Sequence, residues 1–444
     1  MERAFGRRTR LTADQLERGL VAVGGTGRLR RRLRRGEPVT LAAIGASNTV
    51  RGGCEPWQVE ERCSAPKYSA GRRGWLLQAF DALNRSYPHP RNRLLNHGIM
   101  ATGPEAFTHC LNSFVPMEAD AVIISFADMC PSDEGVYLGV SAGATASAPL
   151  GQPHQFEANV ESLVRGLLRR RPAPAVLLFN FFAHSNWNCA ARCAFSASCD
   201  AALGEIARYY HTSTVSVRDA LFLDATHGAN QRYHWASWTQ DNGKHATFGQ
   251  GADFLAELLH FWVGRAASHS YPDATPDVAS IPRLHAIPGV EGRDEPGSGT
   301  GHGGACYGFA GTFGGTIEKP RVLRSDGWRL VQSERSAFSG EVKHKPGYVA
   351  TQRGAALLVD TVTPGVALQA GFLRTRASRA VARLSCVAPC RCSPMELHAF
   401  TNASTSTTEY SPVHTFHAEA SCAFELRLVS DGETFKFVGL QVLL

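Results

Sequence analysis

Two short segments carry residues that together could cleave an ester. The first is Gly45-Ala46-Ser47-Asn48-Thr49, at the carboxyl end of an apolar, β-prone run over 39–45. A serine on a sharp turn there exposes its hydroxyl and offers its own N–H to a developing oxyanion. In an open parallel sheet, ligands bind at that end. The second segment is Asp241-Asn242-Gly243-Lys244-His245, just ahead of a helical stretch that begins near Phe248. A histidine in such a loop can take the serine proton as general base. Taken alone, the serine is better read as a helix N-cap and the histidine as a surface-loop residue. The pair together suggests nucleophilic acyl transfer, for which neither a metal nor an organic cofactor is expected.

The elements that must position these residues follow from the apolar pattern. Between Pro38 and Gly264, short apolar runs alternate with helical stretches. The runs over 39–45, 93–99, 120–128, 175–182 and 213–219 read as strands. Helices are expected over the stretch containing Trp75, Leu76, Phe80 and Leu83, over Phe156–Pro172, over Asp200–Thr212 and over Phe248–Ala266. Alternation of this kind implies a parallel sheet covered on both faces. Residues 266–315 turn rich in Pro, Gly and Ser, which reads as a linker open to proteolysis. Beyond it the helical period disappears, and runs such as Ala367–Thr375, Ala380–Val387 and Phe435–Leu444 are separated by turn residues. That pattern predicts an antiparallel β-sandwich. The expected organisation is a basic helical arm over 1–36, an α/β domain over 37–265, the linker over 266–315 and the β-domain over 316–444.

Composition narrows the class. At 444 residues, with 43% hydrophobic and 19% charged, the chain suits two or three globular domains rather than disorder. No apolar run is long enough to cross a bilayer, and the amino-terminal residues contain no signal-peptide core. Much of the formal charge of +7 sits in one run with Arg28, Arg30, Arg31, Arg32, Arg34 and Arg35. Leu29 and Leu33 lie one turn apart in it, so a helix with a packed apolar edge and solvated arginines is expected. No aromatic residues are interleaved, and a nucleic-acid partner is not expected. Twelve cysteines occur without a C-x₂-C pair, which disfavours zinc. The groups Cys189/Cys193/Cys199 and Cys386/Cys390/Cys392 fit disulfides that staple loops. With the sequons at Asn84 and Asn402, they favour a secretory compartment.

The order of these segments resembles the SGNH (GDSL-type) serine hydrolases. It is closest to a plant and algal branch of them, through the phrases Leu33–Thr40, Ser86–Pro90, Asn96–Gly103, Lys345–Thr351 and Phe435–Leu440. The resemblance implies a three-layer, flavodoxin-like α/β fold followed by an antiparallel β-sandwich. It also implies an esterase acting on a small-molecule or glycan ester, acylated carbohydrates among them. Ser47 would be the nucleophile and His245 the base. The family's aspartate falls at Asn242, with the carboxylate of Asp241 one residue earlier. Oxyanion donors are expected at the N–H of Ser47, at Met100 in the place of a family glycine or Gly98 beside it, and at Met129 in the place of a family asparagine. Since a thioether cannot donate, the other reading is a catalytically degenerate protein that keeps the fold and binds or scaffolds.

Overall fold

Of the runs read as strands in the first part of the chain, the segments Thr40–Gly45, Ala121–Ser125 and Ala175–Asn180 are buried along their whole length, as a sheet covered on both faces allows. The structure is a computed structural model that describes residues 1–53, 73–129, 155–181, 199–226, 232–240, 243, 245–268, 277–285, 305–308, 319–332, 334–335, 342–343, 346–361, 367–401, 406–411, 414–416 and 422–443. The chain opens with α1 (Glu2–Phe5), α2 (Ala13–Gly19), β1 (Leu20–Ala22) and α3 (Gly27–Arg35). It continues through β2 (Thr40–Gly45), α4 (Ser47–Gly52), α5 (Trp75–Ser86), β3 (Arg93–Asn96), α6 (Glu105–Thr108), α7 (Leu111–Phe114) and β4 (Ala121–Ser125). Next come α8 (Gln155–Leu168), β5 (Ala175–Asn180), α9 (Asp200–Tyr209), β6 (Ser213–Ser216) and α10 (Val217–Thr226). Then follow α11 (Trp235–Trp238), β7 (Thr239–Gln240), β8 (His245–Ala246) and α12 (Gln250–Ser268).

Two compact units result. The first takes Met1–Met100 and the described residues between Val115 and His285. The second takes Ala101–Phe114 and the described residues from Ala305 onward. This division differs from the linear one: the arm over 1–36 belongs to the first unit, and a short segment after β3 belongs to the second.

The first unit is a six-stranded sheet in the order β1-β6-β5-β4-β2-β3. Strands β2 to β6 run parallel in a flavodoxin-like order, and β1 is an antiparallel edge that the sequence pattern did not announce. Alternate residues feed the two faces. Leu41, Ala43, Ile123, Leu177, Phe179 and Val215 join one core with Leu76, Leu83, Leu255 and Trp262 of α5 and α12. The expected strand over 213–219 is shorter, because the chain turns helical at Val217.

The arginine run is the helix α3, with Leu29 and Leu33 buried. Its arginines are not merely solvated, however. Arg28 and Arg32 each place Nε 2.8 Å from Asp120, which also accepts from the Thr40 N–H at 2.9 Å. The arm is thereby tied to the start of both β2 and β4. The stretch expected as a linker also contains packed pieces. Arg165 donates to the carbonyls of Val278 and Ile281, and Glu161 accepts from the N–H groups of Leu284 and His285. Among the described residues no helix is long and apolar enough to cross a membrane.

The second unit contains β9 (Ala305–Gly308), β10 (Arg321–Asp326), β11 (Arg329–Val331), β12 (Glu334–Arg335), β13 (Val342–Lys343), β14 (Gly347–Ala350) and β15 (Ala356–Thr361). It continues with β16 (Ala367–Arg374), β17 (Val381–Val387), β18 (Met395–His398), β19 (Thr407–Tyr410), β20 (His414–Thr415), β21 (Cys422–Leu428) and β22 (Phe435–Leu443). One antiparallel sheet runs β10-β15-β21-β17-β18 and the other β11-β14-β22-β16-β19, with β9 and β20 added to β22 and β16. Strand β9 lies within the stretch expected as a linker and pairs with β22. Alternate residues Leu357, Val359, Phe424 and Leu426 share one core with Leu368, Ala370, Phe437 and Val442. Disulfides join Cys386 to Cys392, Cys390 to Cys422 and Cys110 to Cys306.

Candidate active site

Strand β2 delivers Ser47 to the first position of α4, and β4 ends beside it. Gly45 pairs with Ser125, and the Ala46 N–H donates to the Ser125 carbonyl at 3.2 Å. A Cβ on Gly45 would fall onto that carbonyl and onto Thr49 Oγ1, so only glycine lets the chain turn here. The turn lies at the carboxyl ends of β2 and β4, where the strand order reverses and parallel sheets open a crevice.

His245 enters from β8, which pairs with β7. Its Nε2 lies 2.8 Å from Ser47 Oγ. The Asp128 Oδ2 atom lies 3.5 Å from the same hydroxyl. Ser47 has one proton to donate, and the shorter contact directs it to the imidazole, provided that the ring carries its own proton on Nδ1. Ser47 is 7% exposed and Asp128 2%, so little water screens charge that develops between them.

Asn48 joins the pieces. Its Nδ2 donates to Asp128 Oδ2 at 2.9 Å, and its own N–H approaches the same oxygen at 3.4 Å. Its Oδ1 accepts from the Ala246 N–H at 3.1 Å, next to His245, and its carbonyl accepts from Trp75 Nε1 at 2.8 Å. Nothing in the sequence reading assigned Asn48 a part. Its place directly after the serine is the one signal it offers. Arg51, three residues further along α4, is buried with its guanidinium 5.1 Å from the Phe248 ring.

The remaining expected residues distribute as follows. The Gly98 N–H donates to Asn96 Oδ1 at 2.9 Å, within its own loop. Gly98 also serves close packing: a Cβ there would sit 2.6 Å from the Val50 nitrogen of α4. Met100 closes the first unit's share of this loop and is half-buried. Met129 is buried in the short 3₁₀ turn Ala127–Met129, and its N–H closes that turn on the Phe126 carbonyl at 2.7 Å. The side chain that this turn brings to Ser47 is that of Asp128, one residue earlier. Asp241 and Asn242 lie outside the described residues. Among the described residues, no group of three or more His, Cys, Asp or Glu side chains is arranged to hold a metal ion.

Fold and site together define an α/β unit with a serine–histidine pair at its switch point, joined in one chain to an antiparallel β unit. Solved structures of the same build are those of a two-domain esterase active on acetylated mannans, one alone and one co-crystallized with mannopentaose. Each matches with a TM-score of 0.58 at 16% identity, over 96% of this chain and 97% or 98% of theirs. No protein-family model matches this chain, and no curated protein does.

Proposed function

We propose that the protein is a serine esterase of the SGNH type that removes acyl groups from a carbohydrate. The observation that carries this reading is the 2.8 Å contact between Ser47 Oγ and His245 Nε2 at the sheet's switch point. In the proposed reaction, Oγ attacks the ester carbonyl while Nε2 takes its proton. The imidazolium then returns that proton to the departing sugar alkoxide. Water, deprotonated by the same nitrogen, releases the acid from Ser47. The Ser47 N–H, at the first position of α4, is the backbone donor for the oxyanion. Asp241 or Asn242 would orient the ring. The carbohydrate ester comes from the likeness to the mannan-active esterase, and the phrases Leu33–Thr40 and Lys345–Thr351 support the plant and algal branch.

A fluorophosphonate probe tests the reading. It is expected to label Ser47, and His245→Ala is expected to lower labelling at least a hundredfold. The wild type, but not Ser47→Ala, should release acetate from acetylated glucomannan. Labelling of a different serine, or none where a control hydrolase reacts, would sink the proposal.

One observation favours a second reading, a binding protein that has lost catalysis. An ionised Asp128 beside Ser47 would oppose an oxyanion by roughly 4 kcal/mol at an effective dielectric of about 20, close to a thousandfold in rate. That reading expects glycan binding without labelling.

A further inference from the structure

We propose that Arg51 is a positioning residue for His245, gripping the β7–β8 hairpin so that the imidazole is held at the nucleophile. This rests on the esterase reading above. Strands β7 and β8 are two residues each, and a hairpin that short does not hold its own place. Where Nε2 comes to rest therefore depends on what the hairpin packs against, and β8 packs against α4.

Two adjacent pairs build the contact. Gln240 and His245 face each other across the ladder, so their side chains leave the same face of the hairpin about 5 Å apart. Ser47 and Arg51 stand at i and i+4 on α4, one turn and about 5–6 Å from each other. The two spacings match. His245 reaches Ser47, with Nε2 2.8 Å from Oγ. Gln240 reaches Arg51: with its amide oxygen turned to the guanidinium, it accepts from both terminal nitrogens, Nη1 lying at 2.6 Å. The guanidinium also lies 5.1 Å from the centre of the Phe248 ring, three residues beyond His245. Arg51 thus holds the chain on both sides of the histidine.

The residue type suits that task. Arg51 is 9% exposed, so its charge must be met by protein groups more than by water. A planar guanidinium can offer two N–H groups to one oxygen and lie against an aromatic ring at the same time, which an ammonium cannot. Asn48 fastens the main chain of β8 at Ala246, which stops the strand from sliding. Arg51 takes side chains on either side of His245, which stops the hairpin from rolling about that fastening. A roll that moves Nε2 by about 1 Å can cost about a hundredfold in rate. No bond or proton passes through Arg51, so its loss falls on kcat rather than KM.

The test is a double-mutant cycle on the steady-state hydrolysis of p-nitrophenyl acetate, with Arg51→Met, Gln240→Met and the double variant, folding being checked by circular dichroism. Arg51→Met should lower kcat at least thirtyfold and Gln240→Met at least tenfold, each with KM changed less than threefold. The double variant should stay within threefold of Arg51→Met, because both substitutions break the same contact. Losses that multiply, wild-type kcat in either single variant, or a KM that rises as far as kcat falls overturn the assignment. Should Arg51→Met fail to fold, Arg51→Lys takes its place in the cycle. It keeps a cation beside Phe248 but loses the fork, so kcat should fall at least tenfold and again not multiply with Gln240→Met. Fluorophosphonate labelling of wild-type Ser47 together with wild-type kcat in the Arg51 variant removes this inference and leaves the esterase reading intact. No labelling of wild-type Ser47 removes both.

Discussion

The Asn48 amide donates to Asp128 on β4's side of the site and accepts from the Ala246 N–H on the histidine's side. A single residue thus sets the register between the nucleophile turn and β8. Asn48→Ala would release both contacts and leave the Ala246 N–H unmatched in a buried setting, which costs about 1–3 kcal/mol of stability. The Ser47–His245 contact would lose its lateral restraint, so kcat should fall tenfold or more while KM changes little. Steady-state ester hydrolysis and urea unfolding of the same variant check both halves. A variant that loses stability but keeps kcat would show that Asn48 only packs. Either residue alone reads as an N-cap serine or a loop histidine; the order of the segments around them, which resembles that of the SGNH hydrolases, is what made Ser47 and His245 an expected pair. Asn48 was not readable, since its role depends on β8, which joins it only in the fold. The resemblance put Met129 at the place of the family's asparagine. The 3₁₀ turn after Ser125 sets the Asp128 side chain beside Ser47, and a turn of that kind leaves no apolar period to detect.

At the scale of elements, α4 is held from below by the loop after β3. Gly98 packs so closely that an added Cβ would sit 2.6 Å from the Val50 nitrogen and 3.0 Å from Thr49. Asn96 reinforces the contact by donating from Nδ2 to the Thr49 carbonyl at 2.7 Å. Gly98→Ala must therefore push α4 and Ser47 away from the loop. We expect a loss of about 1–3 kcal/mol, the usual range for overpacking, and a fall in kcat larger than the change in KM. Thermal unfolding alongside ester kinetics tests it, and wild-type values in both would mean that α4 is not seated on Gly98. Buried central strands such as β2, β4 and β5 were legible as unbroken apolar runs. Strands of the β unit were legible by their period of two, as in Ala-Phe-Glu-Leu-Arg-Leu over 423–428. Short edges were not: β1, β7 and β8 are two or three residues long, and partner strands rather than local pattern define them. Helix α10 was hidden because Val-Ser-Val over 215–217 continues the alternation of β6 past the point where the chain turns.

At the scale of the whole molecule, the two units should respond to pH differently, for reasons that can be followed group by group. In the first unit, burial lowers His260 on α12 to about 4, and the positive amino terminus adds to the shift. Its Nε2 meets Ser86 Oγ at 3.1 Å and its ring sits edge-on to Phe5. An unfolded chain protonates this histidine near its ordinary value of 6.5, while the folded unit refuses the proton until about 4. Stability is therefore complete above pH 6.5 and is lost as pH falls toward 4, by at most about 3 kcal/mol. In the second unit, burial likewise lowers His109 to about 4. Burial also raises Glu105 to about 7, helped by repulsion from Glu409 and opposed by the Glu105 and Gly103 N–H groups. For Glu105 the sign reverses: the folded unit keeps a proton that the unfolded chain loses near 4.5, so stability is complete in acid and is lost as pH rises toward 7. The two groups offset each other across most of that window, and the wild-type second unit should be nearly flat between pH 5 and 7. Glu105→Gln, neutral at every pH, removes one side of the balance. It should stabilise the second unit at pH 7.5 and leave it acid-labile, as the first unit already is. Hydrogen exchange followed by mass spectrometry, with peptides from α12 and β22 reporting the two units separately, measures this. A Glu105→Gln effect on the β22 peptides that is the same at pH 5 and 7.5 would show that Glu105 titrates alike in the folded and unfolded chain.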